Sequence, residues 1–337
     1  MLILTQRDIA RLIDVRTAIR VVREAFKTMA RGGAVMPPKL YLTLPRGDDF
    51  RAMPAYLRHP PAAGMKWVNV HARNPRHGLP TVMAVIVIND PATGVPLAVM
   101  DGLLITKLRT AAAAAIAAQA LARRDSQVAG LVGCGAQADA QVEALAALLP
   151  LRGVRVWGFA PQEAPAFCAR MRRQLRGMVF EPVATIERCV READIVVTMT
   201  PSHRPLVQRA WLAPGAHVNA VGADAPGKQE LDPAILRGAL VVVDEREQAL
   251  HGGELNVPVR RGQFDPRRIH GTLGEVLIGR RRGRRSDTEL TVFDCTGLAV
   301  HDVALGAEVV RLATEGSPER SRGARRRRVG RHLALFT

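Results

Sequence analysis

The apolar positions of this 337-residue chain fall into three successive rhythms. Near the N-terminus, Ile9, Leu12, Ile13, Ala18, Ile19, Val22, Phe26 and Met29 recur at helical spacing, with Asp14 and Thr17 as candidate cap residues. Strand-like stretches follow at Lys39–Leu44, Gly64–His71 and Thr81–Asn89. The turn Asn89-Asp-Pro-Ala-Thr-Gly94 then predicts a hairpin with a short strand over Pro96–Asp101. From about 111 to 300 the pattern changes. An Ala-rich helix over Thr110–Arg123 leads into short apolar runs at Val128–Val132, Val154–Gly158, Ile195–Thr198, His217–Val221, Leu240–Val243 and Thr291–Phe293, separated by helical stretches. Such alternation predicts an α/β fold, a parallel sheet with helices on both faces. Helical spacing returns over Val300–Ala313, and the chain then ends in an Arg-rich tail. No internal repeat is present.

Composition supports the α/β reading and narrows the partners. Hydrophobic residues make up 47% and aromatics 4%, and the formal charge is +17. Of the 48 basic residues only five are lysines, so the excess is arginine. It concentrates at Arg280-Arg281-Arg282-Gly283-Arg284-Arg285 and at Arg325 through Arg328, with no aromatic residues interleaved for base stacking. These runs read as a solvated loop and a tail, and no nucleic-acid partner is expected. No run of eighteen apolar residues argues for a membrane span. The first eight residues lack the basic-then-apolar layout of a secretory signal. Cys134, Cys168, Cys189 and Cys295 lie far apart without metal-ligand spacing. A reduced, cytoplasmic protein without a metal is the expectation.

The most specific chemistry lies at Val128-Ala-Gly-Leu-Val-Gly133-Cys134-Gly135-Ala136-Gln137-Ala138, which reads as strand, Gly-x-Gly-x-x-Ala, then a helix over Ala136–Leu149. In a dinucleotide-binding turn, Gly133 would make the tight bend and Gly135 would let backbone approach a pyrophosphate. Ala138 would let the helix pack closely on the strand. The helix start then offers N–H groups and partial positive charge to the phosphates. The second strand, Val154 onward, would normally end in an acidic residue that holds the ribose 2′-hydroxyl. Here Gly158, Phe159 and Ala160 stand there instead. No carboxylate repels a 2′-phosphate and no arginine plainly welcomes one, so the cofactor is left as NAD or NADP, with a lean to NADP.

Several segments together resemble the ornithine cyclodeaminase/mu-crystallin family. They are Met53-Pro-Ala-Tyr56, Lys66-Trp-Val-Asn69, Thr106-Lys-Leu-Arg-Thr-Ala-Ala112, Gly133-Cys-Gly-Ala-Gln137, Asn219-Ala-Val-Gly-Ala-Asp224 and Phe293-Asp-Cys-Thr-Gly-Leu-Ala299, spread over residues 1 to about 313. The resemblance implies a Rossmann domain (111–299) with a doubly wound parallel sheet. It would be inserted in a second, α+β domain (1–110 plus 300–316) that binds substrate and builds a homodimer. Residues 317–337 would be left as a basic tail, with disorder the simplest expectation. It further implies that Lys66 and Asp224 are catalytic, and that Lys39, Arg51, Lys66, Arg109 and Thr296 bind substrate. The dinucleotide would be lined by Thr81, Arg109, Thr110, Gly133, Gly135, Ala136, Gln137, Thr200, Val221, Gly222, Lys228 and Cys295.

The residue chemistry agrees with those roles. An amino or imino acid presents a carboxylate, for which an arginine fork is the fitting partner. A lysine packed among apolar groups and cations can titrate near neutral pH. Retaining lysine at 39 and 66, in a chain that uses arginine at nearly every other cationic position, suggests that a compact titratable ammonium is needed. Within the family, cyclodeamination of ornithine calls for an acidic residue just upstream of the Met-Pro segment, where this chain has Arg51. A like-charge contact with ornithine's distal ammonium is costly. The first reading is therefore hydride transfer at a C–N bond in a cyclic ketimine, Δ1-pyrroline-2-carboxylate. The alternatives are ornithine cyclodeamination, alanine dehydrogenation, or a dinucleotide-binding relative without catalysis.

Overall fold

The computed structural model describes residues 1–45, 47–315 and 329–333. The chain divides into two compact units. One joins Met1–Arg109 to the segment beginning at Leu298, and the other is Thr110–Gly297.

The first unit is built on an eight-stranded sheet. Along its main path run Arg331–His332, Leu2–Leu4, Pro96–Asp101, Val82–Asn89, Pro61–Val70, Asp49–Arg58 and Ala34–Val35, with Leu40–Thr43 also pairing with Asp49–Arg58. All pairings are antiparallel except that of Leu2–Leu4 with Pro96–Asp101. In Asp49–Arg58, Arg51, Met53, Ala55 and Leu57 alternate onto the buried face. The helix Ala299–Glu315 packs against this strand, the next two, and the helix Val15–Ala30. The latter buries Ala18, Ile19, Val22, Ala25 and Phe26 along one stripe, and Asp14 caps its start by accepting from the Thr17 amide at 2.8 Å.

The N-terminal helical rhythm thus splits into two helices, Gln6–Ala10 and Val15–Ala30, because Asp14 starts a new one. The strand Asp49–Arg58 was hidden by its Pro54. On one side of it, Leu40–Thr43 pairs with residues 49–52 and Ala34–Val35 with 56–57. Pro54 falls in the gap, where a missing N–H breaks no ladder. At the C-terminus, Arg331 and His332 pair with Ile3 and Leu2, and the Leu333 amide donates to Met1 O at 3.0 Å. A structureless tail is therefore not what residues 329–333 show. The expectation for 316–328 and 334–337, Ser317-Pro318 and the Arg325–Arg328 run included, lies outside the described residues.

The second unit holds an all-parallel sheet in the order Val179–Pro182, Gly153–Trp157, Val128–Val132, Ile195–Thr198, His217–Ala220, Thr291–Asp294, Leu240–Val243, Ile269–Thr272. This is the doubly wound Rossmann arrangement. Its central strands are buried on both faces, which is why they read as continuous apolar runs. Strand order reverses between Val128–Val132 and Ile195–Thr198, and ligands of such sheets sit at the carboxyl ends there. The strands Val179–Pro182 and Ile269–Thr272 escape a periodicity reading because Glu181 and His270 interrupt their apolar character. The Ala-rich helix begins at Leu103, seven residues before Thr110, and no described helix is long and apolar enough to cross a membrane.

Candidate active site

In the first unit, Lys66 comes from the middle of Pro61–Val70 and Arg109 from the helix Leu103–Leu121; both reach one carboxylate, Asp302 of Ala299–Glu315. Lys66 Nζ lies 2.7 Å from Asp302 Oδ2, and Arg109 Nε donates to Asp302 Oδ1 at 3.1 Å. Lys66 Nζ also donates to Thr106 Oγ1 at 3.4 Å. Lys66 and Asp302 are 1% and 0% exposed at the side chain, so these charges act with little solvent screening. Burial and the Arg109 charge pull the Lys66 ammonium down to about 7, against the pull of Asp302. Burial opposes ionisation of Asp302, yet Arg109 and Lys66 hold its carboxyl below the usual range.

The other residues expected in this unit are arranged differently. Lys39 lies close enough for its charge to bear on Lys66. Arg51 is buried, but its guanidinium is met by Asp49 in a fork (Nε to Oδ1 2.9 Å, Nη2 to Oδ2 3.1 Å) and lies over the Tyr41 ring at 5.2 Å. Its charge is therefore shared with a carboxylate two residues away, which weakens the argument that it repels a substrate ammonium. Thr81 precedes the strand Val82–Asn89 and is half-buried. His301, beside Asp302, packs edge-on to Phe26 at 4.3 Å, and neither ring nitrogen has a hydrogen-bond partner. Burial, then the Arg109 charge, push its imidazole down to about 3, so it stays neutral.

The second unit carries the glycine turn. Gly133 follows the strand Val128–Val132 at φ +103°, a conformation that favours glycine, and its amide donates to Trp157 O at 3.0 Å. A Cβ on Gly135 would meet nothing within 4 Å, so the backbone there is open to a ligand. Ala138 begins the helix Ala138–Leu148 and is fully buried. Gln137 Oε1 is buried without a partner at the mouth of this turn. An open backbone cradle at a helix start, with an orphaned acceptor beside it, fits a dinucleotide pyrophosphate and its ribose hydroxyls.

A second carboxylate that the sequence reading missed organises the facing loops of this unit. Glu230 Oε1 accepts from Thr200 N (2.6 Å) and Thr200 Oγ1 (2.7 Å), and Glu230 Oε2 from Thr198 Oγ1 (2.8 Å) and Gly222 N (2.9 Å). The Val221 amide donates to Thr198 O at 2.9 Å. Thr200 and Gly222, expected at the cofactor, are thus fixed at adjacent strand ends by one buried acid, and Val221 by the Thr198 carbonyl. A third missed acid, Asp244, accepts from Thr296 N (2.7 Å), Thr296 Oγ1 (3.0 Å) and Gly297 N (2.8 Å). Cys295 is buried and forms no disulfide. Asp224 accepts from Lys228 Nζ at 2.6 Å, four residues on, and the two are partly exposed. Thr110 is the first residue of this unit and is buried.

Asp302, Glu230 and Asp244 were missed because a lone acid carries no spacing signal. The trace that could have found Asp302 is an ionisable pair, His301-Asp302, inside the otherwise apolar first half of the helix Ala299–Glu315.

Known proteins resemble this chain over most of its length. The family model for the ornithine cyclodeaminase/mu-crystallin family matches residues 1–317. An alanine dehydrogenase from Archaeoglobus fulgidus is 48% identical over 309 residues, covering 92% of this chain and 94% of that protein. Among solved structures, an archaeal alanine dehydrogenase dimer with bound NAD superposes with a TM-score of 0.92 at 45% identity, covering 100% of this chain and 99% of that one. The Δ1-pyrroline-2-carboxylate reductase of Thermococcus litoralis, in complex with NADH and L-proline, gives 0.91 at 32% identity, covering 94% and 98%.

Proposed function

The chain belongs to the ornithine cyclodeaminase/mu-crystallin family, and within it we propose a nicotinamide-dinucleotide-dependent oxidoreductase, working as a homodimer, that interconverts a small 2-amino acid and its 2-imino acid. When bound, the dinucleotide supplies or accepts the hydride. The observation that carries the reading is the buried Lys66–Asp302–Arg109 group, two cations sharing one carboxylate. Its excess positive charge suits an anionic substrate. Arg109 offers the planar fork that grips a substrate carboxylate. Asp302 holds both cations in position. Lys66, with its ammonium brought to about 7, can take or return a proton near neutral pH. Asp224 is assigned to the substrate nitrogen, where a carboxylate favours iminium charge, with Lys228 holding it ready.

Alanine, exchanging with pyruvate and ammonia through 2-iminopropanoate, is the first substrate to test, because of the 48% identity to the archaeal alanine dehydrogenase. A second reading, reduction of the cyclic ketimine Δ1-pyrroline-2-carboxylate, is favoured by the likeness to the reductase solved with L-proline. Ornithine cyclodeamination loses one objection now that Arg51 is paired with Asp49, but gains no support from it.

The deciding assay follows NADH and NADPH at 340 nm with pyruvate plus ammonium and with Δ1-pyrroline-2-carboxylate, and follows ammonia release from ornithine. Net dinucleotide oxidation with either of the first two supports the proposal. Ammonia from ornithine without net dinucleotide turnover would replace it with cyclodeamination. No turnover in any arm would reduce the chain to a dinucleotide-binding relative.

A further inference from the structure

The glycine turn offers a place for a pyrophosphate but leaves the adenosine ribose without an obvious partner. The strand Gly153–Trp157 ends in Gly158, Phe159 and Ala160, none of which can hold a hydroxyl through its side chain. The structure fills that place from elsewhere. A Cβ on Gly158 would lie 2.8 Å from Glu163 Cβ, 3.0 Å from Glu163 Oε2 and 2.9 Å from Cys134 Sγ. The volume that a side chain at 158 would take is therefore already occupied by Glu163, the first residue of the helix Glu163–Gln174.

That placement is fixed by local chemistry. Ala160 N donates to Glu163 Oε2 at 3.3 Å, and Glu163 N donates to Ala160 O at 3.0 Å, closing a turn that swings the carboxylate back over the strand end. The side chain is exposed, so a ligand can reach it. It also borders the glycine turn itself. Burial pushes the Cys134 thiol up to about 11, and the Glu163 charge adds to the effect. Arg170, a cation whose charge also bears on Cys134, has its guanidinium over the Phe167 ring at 5.2 Å.

We propose that Glu163 is the cofactor-selecting residue, accepting hydrogen bonds from the adenosine ribose hydroxyls of NAD and disfavouring the 2′-phosphate of NADP. The assignment rests on the dinucleotide reading above. A carboxylate at this strand end accepts from a 2′-hydroxyl. The same carboxylate facing a doubly charged phosphate meets like-charge repulsion. The pairing also explains the glycine: any side chain at 158 would clash with Glu163 or with Cys134, so the carboxylate at this strand end comes from five residues further along. The lean toward NADP drawn from residues 158–160 is thereby reversed.

The test is direct binding, without substrate. Dissociation constants for NADH and NADPH are measured by protein-fluorescence titration for the wild type, Glu163→Gln and Glu163→Ser, with circular dichroism to verify the fold. Losing a charge-assisted hydrogen bond should raise the NADH constant by about tenfold or more, while the NADPH constant stays level or falls. The wild-type preference for NADH should thus collapse in both variants. A wild type that prefers NADPH, or a preference unchanged in both variants, would overturn the assignment and leave the dinucleotide reading standing. Failure of the wild type to bind either nucleotide would overturn both.

Discussion

Asp302 places its Oδ2 2.7 Å from Lys66 Nζ while its Oδ1 takes the Arg109 Nε at 3.1 Å, so one buried carboxylate divides itself between an ammonium and a guanidinium. The two contacts have different consequences. Arg109 offers a planar fork for an anion. Lys66 is caught between burial and Arg109, which favour its neutral amine, and Asp302, which favours its ammonium. A lysine in that balance changes protonation state near neutrality, where an ordinary one would not.

Replacing Asp302 therefore has a signed effect on pH dependence. Asp302 raises the Lys66 pKa, so Asp302→Asn should lower it below about 7. In the oxidative direction, where Lys66 acts as base, kcat/KM should rise with pH through about 7 in the wild type. The variant should show the same rise at more acid pH, together with a lower maximum. Lys66→Ala should remove the limb and cost about a hundredfold or more in kcat. A limb unmoved by Asp302→Asn would separate Lys66 from the proton transfer.

Arg109→Lys keeps the charge but not the planar fork. One of two parallel hydrogen bonds to the substrate carboxylate should be lost, raising KM for the acid substrate by about tenfold with a smaller change in kcat. Steady-state kinetics with the best substrate from the panel checks this. Equal loss in kcat with an unchanged KM would place Arg109 at the reacting atoms instead.

How much of this was legible beforehand follows from the physics of each signal. The parallel strands were legible because burial on both faces makes their sequences continuously apolar; Leu240–Val243 was read to the residue. Lys66 and Arg109 were legible through segments resembling a family. Asp302, Glu230 and Asp244 were not, since each acts alone, on partners 30 to 236 residues away or on backbone amides that any sequence provides. Glu163 was invisible for a different reason. A rule tied to the strand end points at Gly158, and only the turn through Ala160 shows that the carboxylate arrives from the next helix.

Glu230 should prove structural in a way its neighbours do not. Each of its oxygens accepts one backbone amide and one threonine hydroxyl. An amide nitrogen at either position would face a donor, so even Glu230→Gln should leave part of the network unmet. A loss of about 1–3 kcal/mol is expected for Glu230→Gln and about 2–4 kcal/mol for Glu230→Ala, read from urea denaturation. Dinucleotide affinity should fall with it, since Thr200 and Gly222 lose their anchor. A Gln variant as stable as wild type would mean that the carboxyl is protonated in the fold, as burial favours.

His301 offers the cleanest test of the electrostatics of the buried group. Its folded pKa is lowered from 6.5 to about 3 by burial and by Arg109, with Lys66 adding to the effect and Asp302 opposing it. Between those values the unfolded chain binds a proton at this position that the folded chain does not. Its contribution is present above about 6.5 and lost as pH falls toward about 3, with a limiting slope of about 1.4 kcal/mol per pH unit. His217 adds a similar slope, its imidazole also lowered to about 3 by burial, while Glu230 and Glu254, raised by burial, act in the opposite sense. The difference between wild type and His301→Leu isolates the one group. Because neither ring nitrogen has a partner, the leucine leaves no broken hydrogen bond, and stability at pH 7 should be unchanged or higher. Denaturation midpoints at pH 7, 6 and 5 should then fall less steeply for the variant than for the wild type. Parallel pH profiles would mean that His301 already carries its proton beside Asp302, and that the group holds one more positive charge than the geometry implies.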